Sequence, residues 1–489
     1  MSTQTAIIIG LAIYCVAMLG VSAFFMFRVS KPVDYLVAGR GRPTFILTGT
    51  IAGICIGTGV LIGSTGLAYQ HGWTGSAWPI GLGLGTLLIG LMFAVMRRHQ
   101  FMTLAEEIAC YYGNNRIVVE FSNISLFLSQ LCWLTVQIMG GAAVLGAVTT
   151  MPREACLLLA GLATAGFSIP GGLKAVVHIN FLQTAILLAG FALLCYYALS
   201  NSGGLGGLTQ GVPPARLSIL GVDSYGAWKV FDLLLVLVLS VIADPGRRLA
   251  MYTARSTSGA KIAAVTAGVI VIGFSASIGI IGMYAFKLNP SLDAADKALP
   301  WLVMRILPPG LAALVVVSIV SGVFSTANTN ATAVGTFYVR HIFPLAAGRP
   351  PKRPVFTARC ALAAGFVIAI IIGLYTSSIV DFVKAFLSVV MSGLALIILV
   401  GRFWKRATWQ GALATLIVTP AVSLGVMLAR KYCPDIGPFW SSPVIPATIA
   451  GLSAHIIASL LTKRGPLTFE QVAEQMRQAR DSIENAPGA

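Results

Sequence analysis

The stretch Gly49-Thr-Ile-Ala-Gly-Ile-Cys-Ile-Gly-Thr-Gly-Val-Leu-Ile-Gly-Ser-Thr-Gly66 holds six glycines in eighteen residues, and the other residues are apolar or carry hydroxyls. It sits in an uncharged run over 44–69, long enough to cross a bilayer, for which ~20 residues suffice. Each glycine in a helix interior costs roughly 1 kcal/mol relative to alanine. Two readings account for that cost. Small residues let membrane helices pack closely. Alternatively, Gly57-Thr58-Gly59 interrupts the helix at mid-membrane and turns backbone carbonyls toward a ligand, which is tolerated only where irregular backbone lines a cavity.

The rest of the chain places this stretch in a membrane protein. Of 489 residues, 57% are hydrophobic and only 10% are charged, against about 25% charged in soluble domains. Cutting at charges and at Gly/Pro clusters gives thirteen apolar spans, at 5–27, 44–69, 76–96, 118–147, 153–170, 174–199, 228–246, 261–286, 309–339, 355–374, 378–400, 408–429 and 443–462. They lack the alternation of barrel strands, so an all-α membrane protein of about 13 transmembrane helices is expected. The first span has no basic n-region and reads as a retained helix. The net charge of +17 reflects topology: with the N-terminus outside, 24 of the 33 Lys and Arg fall in inside segments and 8 in outside ones. That bias obeys the positive-inside rule and makes the bilayer, not nucleic acid, the partner. The eight cysteines show no CxxC spacing, so neither a disulfide nor a thiolate metal site is expected. Oligomeric state has no signature in the sequence. The tail from Thr468 to Asn485 reads as a solvated cytoplasmic helix, with a regulatory contact as the alternative.

A second polar stretch falls at membrane depth. Ser325-Thr-Ala-Asn-Thr-Asn-Ala-Thr332 has six polar residues in eight, none charged, directly after the apolar run 311–324. On a helix, Gly322, Ser325, Asn328, Thr329 and Thr332 share one face. Hydroxyls from Ser325 and Thr326, a carbonyl near Gly322 and carbonyls of an interrupted second span make a neutral oxygen set suited to a small hard cation of sodium size. The competing reading has these groups bonding back to their own helix or joining two helices. Proton coupling would need a titratable group at depth, and the carboxylates cluster in loops and at span ends. The seventh span has its own weak point near Ser240 and ends at Ala243-Asp-Pro-Gly246, five spans after the first interruption. Asp244 with Arg247 and Arg248 reads as an inner-end charge cluster, and Asp381 with Lys384 as a local pair. No nucleophile–base pair or metal cluster marks an enzyme.

Five motifs, in order, resemble those of the sodium/solute symporter family, over about residues 33–412. They are Asp34-Tyr-Leu-Val-Ala-Gly-Arg40; Thr103-Leu-Ala-Glu-Glu107 with Tyr112-Gly113; Ser168-Ile-Pro-Gly-Gly-Leu-Lys-Ala-Val176 with Gln183; Ser325-Thr326-Ala-Asn-Thr329; and Arg402-Phe-Trp-Lys-Arg-Ala-Thr-Trp-Gln-Gly-Ala412. The resemblance implies a LeuT-like, five-plus-five inverted-repeat fold: an extra N-terminal helix and loop (1–43), a first repeat (44–200), a second (201–401), two C-terminal helices (402–464) and a cytoplasmic tail (465–489). It implies sodium-coupled symport of a small organic solute into the cell across the cytoplasmic (inner) membrane, by alternating access. Its sodium site falls on the carbonyls of Gly53, Ile56 and Gly322 and the hydroxyls of Ser325 and Thr326. Members that bind a second sodium have an aspartate where this chain has Asn180, so the second-ion position at Asn180, Asn328 and Thr329 is expected to be empty, with one sodium per substrate. The arginine of sialic acid carriers is missing from Gln130-Leu-Cys-Trp133. Substrate positions map to Cys55, Gly57 and Val60, with Trp78, Gln130, Trp133, Gln137 and Ser240 as candidate walls. A solute sensor and a proton-coupled or uncoupled carrier are the rival expectations.

Overall fold

The computed structural model describes residues 2–149, 151–376, 382–383, 386–433, 437–440 and 442–484; Asp381 and Lys384 lie outside them. The described residues are helical, with an isolated backbone bridge between Arg42 and Ala254 and no strands. In chain order the principal helices are α1 (Thr3–Met26), α2 (Thr44–Cys55), α3 (Gly59–His71), α4 (Thr74–Phe93), α5 (Leu104–Tyr111), α6 (Arg116–Val148), α7 (Arg153–Ser168), α8 (Gly172–Ser202), α9 (Ala227–Ile242), α10 (Pro245–Tyr252), α11 (Thr257–Leu288), α12 (Pro309–Phe337), α13 (Pro354–Tyr375), α14 (Leu387–Phe403), α15 (Trp409–Tyr432), α16 (Val444–Leu461) and α17 (Phe469–Glu484).

Among the described residues, nine helices are long and apolar enough to cross a membrane, and α2 with α3 makes a tenth, bent by 56°. Three of the expected spans correspond to shorter helices, α7, α9 and α14. The bundle is built around α12, in which every residue from Val315 to Phe337 is buried. Helices α6, α8 and α1 pack directly on it. The outer face of α1 instead exposes Ile13, Val16 and Phe24, as a lipid-facing helix must.

Both readings of the glycine-rich stretch hold in different places. Gly49 and Gly53 are packing glycines: a Cβ would meet the Phe181 ring at 2.6 Å at the first and Thr184 Oγ1 at 2.2 Å at the second. The interruption follows at Ile56, whose φ of −101° and ψ of 65° are not helical. The backbone N–H of Thr58, freed by the break, donates to Gln137 Oε1 at 2.9 Å, so this main-chain donor is not left unpaired. The second interruption comes at Ala243–Asp244, a few residues beyond Ser240. There Asp244 caps α10 by accepting from the Gly246 N–H at 2.7 Å, and Pro245 opens the helix.

The tail is a helix, α17, but it is docked rather than free in solvent. Val472 and Ile483 are buried, and Arg480 donates to the carbonyls of His99 and Gln100 at 3.0 and 2.7 Å. Its apolar side chains cover the cluster of Met96, Phe101, Cys110 and Tyr252.

Candidate functional site

The two interruptions face each other beside α12. Ser325 lies sixteen residues into that 29-residue helix, about 24 Å from its start at 1.5 Å per residue, so it sits near the helix's middle. Ser325 Oγ lies 3.0 Å from the carbonyl oxygen of Gly53 and 2.9 Å from that of Gly322. Thr326 Oγ1 lies 3.2, 3.4 and 3.3 Å from the carbonyl oxygens of Gly53, Ile54 and Gly322. The contacts to Gly322 are ordinary back-bonds within α12. Those to Gly53 and Ile54 cross to the broken helix. The Ile56 carbonyl closes on the same spot, 2.9 Å from where a Cβ of Gly322 would stand.

The proton count makes this cluster unusual. Two hydroxyls supply two hydrogens, while five oxygen–oxygen contacts of 2.9 to 3.4 Å, three of them crossing to α2, connect them to three carbonyls. Lone pairs are therefore in surplus, and all donors in the set are neutral oxygens. Such a set suits a hard monovalent cation, which needs neither thiolate nor imidazole. Thus the structure brings Gly53, Ile56, Gly322, Ser325 and Thr326 together, and adds Ile54, whose carbonyl points the same way because it is freed by the same break.

The second-ion position is filled by amides. Asn180 Nδ2 donates to Thr329 Oγ1 at 2.7 Å. Asn328 Nδ2 lies 3.4 Å from Asn180 Oδ1 and 3.3 Å from Gln183 Oε1, and its own Oδ1 accepts from Ser168 at 3.0 Å. All these groups are buried and satisfy one another.

On the other side of Thr326 lies a narrow chamber of about 30 Å³. Cys55, Gly57, Val60, Trp78, Trp133 and Gln137 line it, as expected. Gln130 and Ser240 do not; Ser240 donates instead to the Leu237 carbonyl at 2.7 Å. Asp244, Arg247 and Asn330 also line it. The first two correct the reading of an inner-end charge cluster: both are buried, form an ion pair with each other, and Arg247 Nε reaches Cys55 Sγ at 3.4 Å. The sequence signal was there in Asp-Pro-Gly, which is an N-cap followed by proline at the first helical position. It marks the start of a new buried helix, not the exit of a span.

A buried ligand chamber and an oxygen cluster, sharing Thr326 at the junction of two interrupted helices, are the site of a secondary transporter. Residues 35–419 match the model of the sodium:solute symporter family, and the chain belongs to that family. It is 23% identical over 481 residues to the sodium/pantothenate symporter of Haemophilus influenzae, covering 94% of this chain and 97% of the relative. It is also 23% identical to that of Escherichia coli (93% and 96% covered), and 21% identical to sodium/glucose cotransporter 1 of Oryctolagus cuniculus (93% and 79%). Its fold matches that of a Na+-coupled sialic acid symporter in a substrate-bound outward-open state, with a TM-score of 0.80 at 16% identity over 96% of this chain and 99% of the other. A nucleobase-cation-symport-1 family transporter in a closed conformation matches less closely, at 0.57 and 14% over 91% and 98%. The protein is a LeuT-like multi-pass membrane carrier that couples solute symport to sodium, and it is not an enzyme.

Proposed function

We propose that the carrier takes up one small organic solute with one sodium, held by the carbonyls of Gly53, Ile56 and Gly322 and the hydroxyls of Ser325 and Thr326. The observation that carries this reading is the shortage of hydrogens, two hydroxyl protons facing five oxygen contacts, three of them across the seam between α2 and α12 and two within α12. Sodium in that seam ties the broken helix to α12 and orders the chamber wall at Thr326 and Gly57. The ion and the solute thereby stabilise the same state, which is the thermodynamic condition for coupling. The amide network at Asn180, Asn328 and Thr329 leaves no carboxylate for a second ion. Basic residues in the inside segments put the N-terminus outside and the C-terminus in the cytoplasm, with the two repeats at 44–200 and 201–401 rocking about the site. The rival of proton coupling has one buried carboxylate in the chamber, Asp244, and both its oxygens are engaged, by the Gly246 N–H and by Arg247.

The test is uptake into proteoliposomes with an inward sodium gradient against an equal choline gradient. Uptake is expected only with sodium, with a Hill coefficient of one. Ser325→Ala, which removes one ligand oxygen, is expected to raise the half-saturating sodium concentration about tenfold or more, in keeping with the worth of one charge-assisted contact. Full-rate uptake in choline would overturn the coupling.

A further inference from the structure

The chamber's own chemistry narrows the solute. Two of its lining groups hold buried polar atoms with no protein partner, Asn330 Nδ2 and Trp133 Nε1. Asn330 is only 1% exposed, and native structures seldom leave such a group unpaired. Both atoms are donors. Arg247 adds to them. Its guanidinium pairs with Asp244 through Nη1 and reaches Cys55 through Nε, at the edge of the same space. A ligand that satisfies these groups must present acceptor oxygens.

Charge gives a second, independent argument. Among the described residues, Asp244 and Arg247 are the only charged groups in the chamber lining, and they pair with each other. Every oxygen offered to sodium is neutral, and the neighbouring Asn180 is a neutral amide that donates to Thr329. A sodium ion bound alone would thus be an uncompensated buried cation, which is costly. A solute carrying a single negative charge, seated beyond Thr326, removes that cost. Trp78 and Leu82 face the same space and suit a short apolar body, and the small volume excludes a bulky one.

We propose that the solute is a small monocarboxylate, its carboxylate received by Arg247, Asn330 and Trp133, and that it moves with one sodium as an electroneutral pair. This rests on the one-sodium reading above. The proposal also explains the coupling, because each ion supplies the counter-charge that the other lacks.

The experiment uses the purified full-length protein and a panel of acetate, propionate, butyrate, lactate and pyruvate, each paired with its amide. Thermal stability is followed in sodium chloride and in choline chloride. At least one acid is expected to stabilise the protein in sodium and not in choline, with its amide at least tenfold weaker. The charge-neutral double variant Asp244→Asn/Arg247→Gln is expected to keep the stabilisation by sodium alone and to weaken the acid about ten- to a hundredfold. Trp133→Phe, which keeps the ring and removes the N–H, is expected to weaken it severalfold. Uptake of the responding acid into proteoliposomes is expected to ignore a potential imposed with potassium and valinomycin. If the amides match the acids, or if no acid responds while sodium still stabilises the protein, the carboxylate assignment is wrong and the sodium site stands. If an inside-negative potential accelerates uptake, the electroneutral pairing is wrong. If sodium stabilises nothing, the sodium site itself falls, and that outcome is read without any solute.

Discussion

At the scale of single residues, the one-sodium proposal turns on Asn180. Its amide donates to Thr329 and accepts from Asn328, so replacement by aspartate removes a donor and adds a charge among neutral groups. A buried unpaired carboxylate costs several kcal/mol unless a cation joins it. Asn180→Asp is therefore expected to melt earlier than the parent in choline chloride, to recover in sodium chloride, and to raise the Hill coefficient for sodium above one in uptake assays. A variant with the same melting temperature in both salts would count against a latent second position. Gly53 tests the first site from the opposite direction. A methyl group there falls 2.2 Å from Thr184 Oγ1 of α8 and 3.2 Å from Ser325 Oγ of α12, so Gly53→Ala must push α2 from α8 and crowd the Ser325 hydroxyl. The expected result is a folded carrier whose half-saturating sodium concentration rises at least as far as that of Ser325→Ala, read by sodium titration of uptake.

At the scale of elements, α10 connects the chamber to the end of the bundle that α5 and α17 close. Arg247 at its first turn lines the chamber, while the next residue, Arg248, is fully buried against Glu107 of α5 at 3.2 Å and lies 3.8 Å over the Phe93 ring. Tyr111 and Tyr252 both donate to the same carboxylate, at 2.7 and 2.5 Å. This latch closes the bundle between α4, α5 and α10, and α17 caps it. Removing one partner of such a pair costs roughly 3–5 kcal/mol because the other charge is stranded. Glu107→Gln is expected to lower thermal stability and to speed modification of the buried Cys110 by maleimide, measured with the exposed Cys360 and Cys433 changed to serine. Unchanged Cys110 reactivity would show that the latch does not gate this end of the bundle. Hydropathy made the spanning elements legible because lipid forces long apolar helices on any sequence that crosses it. It concealed α10, since Pro245 ends an apolar run whether the chain leaves the membrane or begins a new buried helix. The motif pairs were legible as strings but not as contacts. Tyr35 donates to the Ile169 carbonyl at 2.7 Å, and its ring fills the space beside Gly172, which has φ +55° and no room for a Cβ.

At the scale of the whole molecule, the proposed sodium cluster lies on the seam between the interrupted α2/α3 and the central α12, so ion binding there is expected to be felt as global stability. Any ligand that binds only the folded state stabilises it in proportion to the logarithm of its saturation, about 2.7 kcal/mol at a hundredfold excess over Kd. Replacing sodium by choline at constant ionic strength is thus expected to lower the melting temperature by a few degrees, with potassium behaving like choline. The variants separate the seam from the latch. Ser325→Ala should nearly erase the gap between the sodium and choline curves, because the ligand oxygen is gone while the surrounding packing remains. Glu107→Gln should shift both curves down together and preserve the gap, because its damage lies at the latch and not at the seam. A gap that survives in Ser325→Ala and vanishes in Glu107→Gln would place the sodium effect at the latch, and the surplus lone pairs between Gly53 and Thr326 would then need another occupant.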